Sequence, residues 1–106
     1  MAGPSGRPDP EASARLRLDK WLWQARFFRS RALAAEVIAA GSVRVNGIRV
    51  SRPGRDIAAG DTLTFPQGGR IRVIRVLALG MRRGPATEAQ ALYLDLEAPA
   101  APEPLE

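Results

Sequence analysis

The run Val43-Arg44-Val45-Asn46-Gly47-Ile48-Arg49-Val50 constrains the fold of this chain more than any other stretch. Asn-Gly is the strongest short-range signal for a β-hairpin, because a type I′ turn needs φ > 0 at both central residues. Branched residues alternate with arginine on both sides of it. The apolar side chains therefore go to one face, and Arg44 is directed away from the core.

Apolar spacing changes to helix period upstream of the hairpin. A first helix is expected to start near Leu18 or Asp19, with Leu18, Trp21, Leu22 and Ala25 on its core face. Asp19, Lys20, Trp23 and Arg26 fall away from that face, and Phe27 and Phe28 pack under the following turn. Ser30 suits the N-cap of a second helix. Leu33, Val37 and Ala40 form its apolar stripe, with Ala34 and Ile38 beside it. Gly41 fits the left-handed position after its end.

Strand signals resume downstream. Ile57 begins a short strand, and residues 59–61 read as a turn. Residues 62–65 alternate with Leu63 and Phe65 inward, and residues 66–69 turn the chain. Residues 70–79 are the longest strand candidate, with Ile71, Val73, Leu77 and Leu79 on one side. Pro85 opens a short helix over about residues 86–92. Leu92, Leu94 and Leu96 alternate, which leaves helix and strand both open there.

The length of 106 residues suits one domain. No apolar run approaches the roughly 18 residues of a membrane span. The N-terminus lacks the apolar segment of a secretory signal, so a cytoplasmic location is expected. The chain has no cysteine and no histidine, which excludes disulfides and thiolate metal sites and removes the commonest general base. No metal and no cofactor is expected, and no glycine-rich phosphate loop is present. The remaining acids of the basic region, Asp19, Glu36, Asp56 and Asp61, read as helix-start, helix-face and turn residues. No catalytic residue is assigned, and no small-molecule substrate is expected.

Charge is distributed unevenly. Residues 15–83 hold 15 basic and 4 acidic side chains, whereas residues 84–106 hold 5 acids and no base. All the basic residues but Lys20 are arginine, the side chain suited to planar, bidentate contact with phosphates and bases. Arg29-Ser30-Arg31 stands at a helix start, where partial positive charge already favours an anion. Arg44, Arg49, Arg52 and Arg55 follow through the hairpin and its exit. Like charges crowded on one sheet face repel one another, and a polyanion relieves that repulsion. The plainer account of such a series is a solvated surface, but the surplus argues for a ligand. Trp23 has two readings. It stacks on an unpaired base between Lys20 and Arg26, or it packs against the C-terminal segment near Leu92; the second is the more ordinary fate of an indole.

The run from Arg17-Leu18-Asp19-Lys20-Trp21-Leu22-Trp23 through Ala25-Arg26-Phe27, Ser30-Arg31, Gly41, Val43 and Val45-Asn46-Gly47 to Gly60-Asp61 resembles the S4-type RNA-binding domain. Within that group it resembles the bacterial heat-shock protein 15 family. The resemblance implies an α+β fold, the αL RNA-binding motif, with two N-terminal helices on a small, mostly antiparallel sheet and a short C-terminal helix. By composition, residues 1–14 read as a disordered leader and residues 98–106 as a disordered acidic tail, with the S4-type RNA-binding domain expected over 15–80 and an extension over 81–97 packing on it. The RNA-binding surface the resemblance implies is Arg17, Lys20, Arg26, Arg29, Ser30, Arg31, Arg44, Asn46, Arg49 and Arg52. The implied partner is RNA of the large ribosomal subunit, in a heat-shock or ribosome-rescue role; the free protein is expected to be a monomer. Family members with a basic C-terminal extension differ from this chain, whose end is acidic. Two alternatives stand beside this one. One is an RNA-binding module serving a separate enzyme, such as a pseudouridine synthase; the other is a DNA-binding module.

Overall fold

The protein is described by a computed structural model covering residues 14–96. The expected leader, apart from Ala14, and the expected acidic tail lie outside the described residues.

The chain runs through β1 (Leu16–Arg17), α1 (Leu18–Gln24), α2 (Arg31–Ala39), β2 (Val43–Val45), β3 (Ile48–Val50) and β4 (Asp56–Ile57). It continues with β5 (Thr62–Gln67), β6 (Arg70–Val76), α3 (Ala86–Gln90) and β7 (Tyr93–Asp95). A five-stranded sheet has the order β3-β2-β5-β6-β7, with every neighbouring pair antiparallel. β1 and β4 form a separate two-stranded ladder that pairs Leu16 with Ile57. The expected α+β architecture is what the chain adopts.

Local chemistry accounts for the helix ends. The Ser30 hydroxyl accepts a hydrogen bond from the Leu33 N–H at 3.0 Å, so it caps α2 as expected. Gly41, at φ +81°, ends the same helix; its N–H donates to Ile38 and that of Ser42 to Val37. The hairpin turn has φ 54° at Asn46 and 84° at Gly47, as a type I′ turn requires.

α1 and α2 pack on the sheet face that carries Val43, Val45, Leu63, Phe65, Ile74 and Val76, all fully buried. Leu18, Trp21, Leu22, Ala25 and Phe27 join that core. Phe27 meets Phe65 edge-on at 4.9 Å and Tyr93 at 4.5 Å, which locks the α1–α2 turn against the sheet.

Two expectations on the core need correction. In α2 the fully buried residues are Ala34 and Ile38, whereas Leu33 is 38% exposed and Val37 only partly buried. The stripe is rotated by about one residue, because the many alanines give the helix no sharp apolar face to read. In β6 the inward residues are Ile74 and Val76, while Ile71 is 59% exposed and Leu77 is 49% exposed. The run Arg-Ile-Arg-Val-Ile-Arg-Val carries apolar residues on both parities. Pairing of Ile74 with inward-facing Leu63 settles which parity faces the helices. The strand also ends at Val76, and β5 extends to Gln67, so the turn between them shrinks to Gly68-Gly69.

Candidate nucleic-acid interface

β1 places Arg17 one residue ahead of α1, and α1 places Asp19 in its first turn. Asp19 was expected on the open side of α1, but it is buried, with 4% exposure. Arg17 grips it with two hydrogen bonds, Nε to Oδ1 and Nη2 to Oδ2, both 3.1 Å. Arg31, at the start of α2, brings its Nε to 3.5 Å from the same Oδ2. One carboxylate therefore ties the beginnings of both helices together and holds two half-exposed guanidinium groups side by side.

Burial alone pushes the Asp19 carboxyl up. The hydrogen bond from Arg17 and the charges of Arg31 and Arg17 outweigh it, so the group titrates below the usual carboxylate range. The same pairing raises Arg17. Sequence reasoning missed this organising role, although the signal was there: an acid two residues after an arginine, at a junction where the chain turns from strand into helix.

The two helix starts differ in what they leave for a ligand. At α1 the N–H groups of Leu18 and Asp19 donate to the carbonyls of Arg55 and Pro53, so the loop before β4 closes that end. At α2 only the Ser30 side chain serves as cap, and the N–H groups of Arg31 and Ala32 have no partner among the described residues. Arg29 and Arg31 are exposed beside these donors. The arrangement suits a phosphate.

The hairpin adds a second cationic area. Arg44 lies directly opposite Arg49 across the β2–β3 ladder, on the face away from the helices. Arg44 is exposed and makes one long contact, Nη1 to the Gly47 carbonyl at 3.5 Å. Arg49 lies along Gly41, where its Cδ would be 3.5 Å from an added Cβ, so it bridges from the hairpin toward the end of α2. Arg52 is exposed and Lys20 half-buried, and neither has an ion-pair partner among the described residues.

Three further expected surface residues make hydrogen bonds within the protein. Asn46 donates to Asp61 at 3.1 Å and accepts from the Thr62 N–H at 2.9 Å, so its amide stitches the hairpin turn to the start of β5. The Ser30 hydroxyl is occupied as the cap. Arg26 adopts φ 67° and donates through Nε to the Gly84 carbonyl at 2.7 Å.

Trp23 packs against the C-terminal segment, through Arg83. The Arg83 guanidinium lies over the indole at 5.7 Å from the ring centroid, and its Nε donates to the Trp23 carbonyl at 3.0 Å. Trp21 and Gln24 also donate to the carbonyls of Ala78 and Leu79, so the segment after β6 is fastened along α1. Among the described residues no group of acids has the arrangement of a metal site, and no helix is long and apolar enough to cross a membrane.

Residues 16–63 match the S4 domain family. The chain is 45% identical over 92 residues to a heat shock protein 15 homolog of Aeromonas salmonicida, covering 86% of this chain and 69% of that protein. It is 49% identical over 78 residues to heat shock protein 15 of Escherichia coli K12, covering 74% of this chain and 58% of that protein. A more distant match, 34% over 61 residues, is an RQC P-site tRNA stabilizing factor of Listeria innocua; it covers 58% of this chain and 65% of that protein. The solved trimeric structure of heat shock protein 15 from Vibrio cholerae superimposes with a TM-score of 0.74 at 37% identity, covering 79% of this chain and 84% of that one.

Proposed function

Because the chain belongs to the heat shock protein 15 family, with an S4 domain at residues 16–63, we propose that it is a non-catalytic protein that binds structured ribosomal RNA of the large subunit in the cytoplasm. The proposed surface consists of the α2 start, the Asp19-held arginines and the β2–β3 hairpin. One observation carries this reading most: Asp19 holds Arg17 and Arg31 together at the junction of the two helices, 3.1 and 3.5 Å from its oxygens. Two guanidinium groups fixed in advance lose less conformational entropy when they meet a phosphate than two free ones.

The names of the relatives favour a ribosome-rescue role. The Listeria factor is named for stabilising a P-site tRNA, so a tRNA held on the large subunit joins ribosomal RNA among the partners this surface would meet. The chain spans 58–69% of these relatives' lengths, and its own surface supports RNA binding more directly than any later step. In this reading the free protein is a monomer. The Vibrio cholerae protein is trimeric in its solved structure, and sedimentation of this chain with and without RNA decides between the two states.

The test is a salt titration of binding to ribosomal RNA fragments. Replacing Arg31 by Ala should weaken binding to many RNAs alike and lower the slope of log affinity against log salt by roughly 0.7–0.9. Replacing Arg70, at the distal end of β6 beside the Gly68-Gly69 turn, removes the same charge and should do much less. Equal losses from both would mean diffuse basicity and no defined face.

A further inference from the structure

Between the α1–α2 turn and α3 lies a cleft of about 320 Å³, whose lining includes Arg26, Phe27, Arg72, Ala86, Gln90 and Tyr93. Of these, only Arg26 belongs to the surface proposed from the S4 resemblance.

The charges in the wall decide what kind of group fits. Arg72 donates to Asp95 at 2.8 Å and to Gln67 at 2.6 Å, and its guanidinium lies over the Phe27 ring at 5.3 Å. Its charge is neutralised inside the wall. Arg26 is left as the one lining cation with no acidic partner among the described residues. That is too little charge for a polyphosphate, and it suits a neutral planar group with a single phosphate at the rim.

The other polar groups match an edge of such a planar group. The Gln90 amide and the Tyr93 hydroxyl make no hydrogen bond to other described residues, and Gln90 is exposed. An amide side chain offers a donor and an acceptor together, the pattern that meets a base edge. Tyr93 is held against Phe27 at 4.5 Å, so an aromatic surface is fixed beside these groups. Ala86 and Ala89 on α3 leave the space unfilled. The left-handed backbone of Arg26, at φ 67°, is strained for a residue with a Cβ. It is retained where Arg26 bonds Gly84 across the mouth of α3, and strain of this kind collects at ligand sites. A second cleft, of about 430 Å³ beside Leu79 and Met81, has no polar side chain in its lining and offers nothing to a base edge.

We infer that the cleft between the α1–α2 turn and α3 takes one unpaired nucleobase of the bound RNA, with Arg26 at the phosphate of that nucleotide. This rests on the RNA-binding reading above and adds to it a preference for RNA with an extruded base.

The probes are RNA hairpins carrying one bulged nucleotide, one hairpin for each base, and the same hairpin fully paired. The wild-type protein should prefer at least one bulged hairpin by roughly tenfold, the scale of one base–aromatic stack. Ala86→Phe fills the cleft from an exposed position at the start of α3, and a melting curve checks that it folds. Gln90→Ala, also exposed, removes the amide without adding volume. Both variants should lose the bulge preference and keep the wild-type affinity and salt slope on the paired hairpin. Salt-dependent binding with no bulge preference in the wild type, or a preference that survives both variants, overturns the cleft alone. Absence of salt-dependent binding to any hairpin overturns the RNA-binding reading together with it.

Discussion

The helix pair with its hairpin leaves most of its arginines without an acid of their own, whereas Arg72, Arg82 and Arg83 of the C-terminal segment are bound within the protein. Arg70 and Arg75 of β6 are exposed and have no ion-pair partner among the described residues. In the first region Arg29, Arg44, Arg49 and Arg52 have no ion-pair partner among the described residues, and Arg17 and Arg31 share one carboxylate. In the second, Arg72 is bound by Gln67, Asp95 and the Phe27 ring. Arg82 is bound by Glu88 at 2.7 Å, and Arg83 covers Trp23. Arginine content therefore does not mark the binding face. How the acids are shared narrows the choice: Arg72 and Arg82 are each paired with a carboxylate, whereas Arg17 and Arg31 divide one between them and keep a net positive charge for a phosphate.

Breaking a tied arginine should show the largest effect, and it should be on stability. The side chains of Arg72 and Asp95 are only 17% and 23% exposed. Arg72→Ala should cost about 2–4 kcal/mol in denaturant unfolding, less than a fully buried pair because both partners keep some solvent. The salt slope of RNA binding should not change. A lower slope with unchanged stability would place Arg72 on the binding face and undo the comparison.

Asp19→Asn comes next and tests the point where the two uses meet. Stability should fall by about 1–3 kcal/mol, the scale of hydrogen bonds to a charged group. Net charge alone would make the variant bind RNA more tightly. Loss of a pre-arranged Arg17–Arg31 pair should instead weaken it, by roughly three- to tenfold for one or two side chains freed. The pH dependence carries a matching sign. The folded-state value of Asp19 is depressed, so its contribution is complete above the unfolded aspartate range near pH 4. That contribution is lost as pH falls through the lower folded value. The stability gap between wild type and Asp19→Asn should therefore be widest near neutral pH and shrink in acid.

The smallest change in stability is expected from Arg44→Ala. Arg44 stands opposite Arg49, and removing one of two like charges should leave the melting temperature level or raise stability by a few tenths of a kcal/mol. The salt slope should still fall by about 0.7–0.9. A stability loss of the size expected for Arg72 would show that this arginine, too, is part of the scaffold.

Much of this was legible in advance wherever the physics is local. The Ser30 cap, the Gly41 stop and the Asn46-Gly47 turn each depend on backbone and side chain within a few residues. The α1 core face was also readable, because Leu18, Trp21 and Leu22 are large enough to mark it. Illegible were the α2 stripe, blurred by alanine, and the parity of β6, where apolar residues occupy both faces. Asn46 shows the limit for site residues. Its place in the turn was clear, but the bond from its amide to Asp61 depends on a segment fifteen positions away.

The sequence by itself determined the order of the elements from α1 to α3, the Ser30 cap and Gly41 stop of α2, and the excess of arginine over residues 15–83, because each follows from short-range sterics, hydrogen bonding or a count; β1 and the choice of strand for β7 did not. Only the tertiary structure decided which arginines remain available. Arg83 meets Trp23 across 60 positions and Arg72 meets Asp95 across 23, whereas Arg26 meets only the Gly84 carbonyl and keeps its charge. A guanidinium is engaged by whatever acceptor folding brings within about 3 Å and neutralised only where that acceptor is a carboxylate, and no local pattern carries that distance.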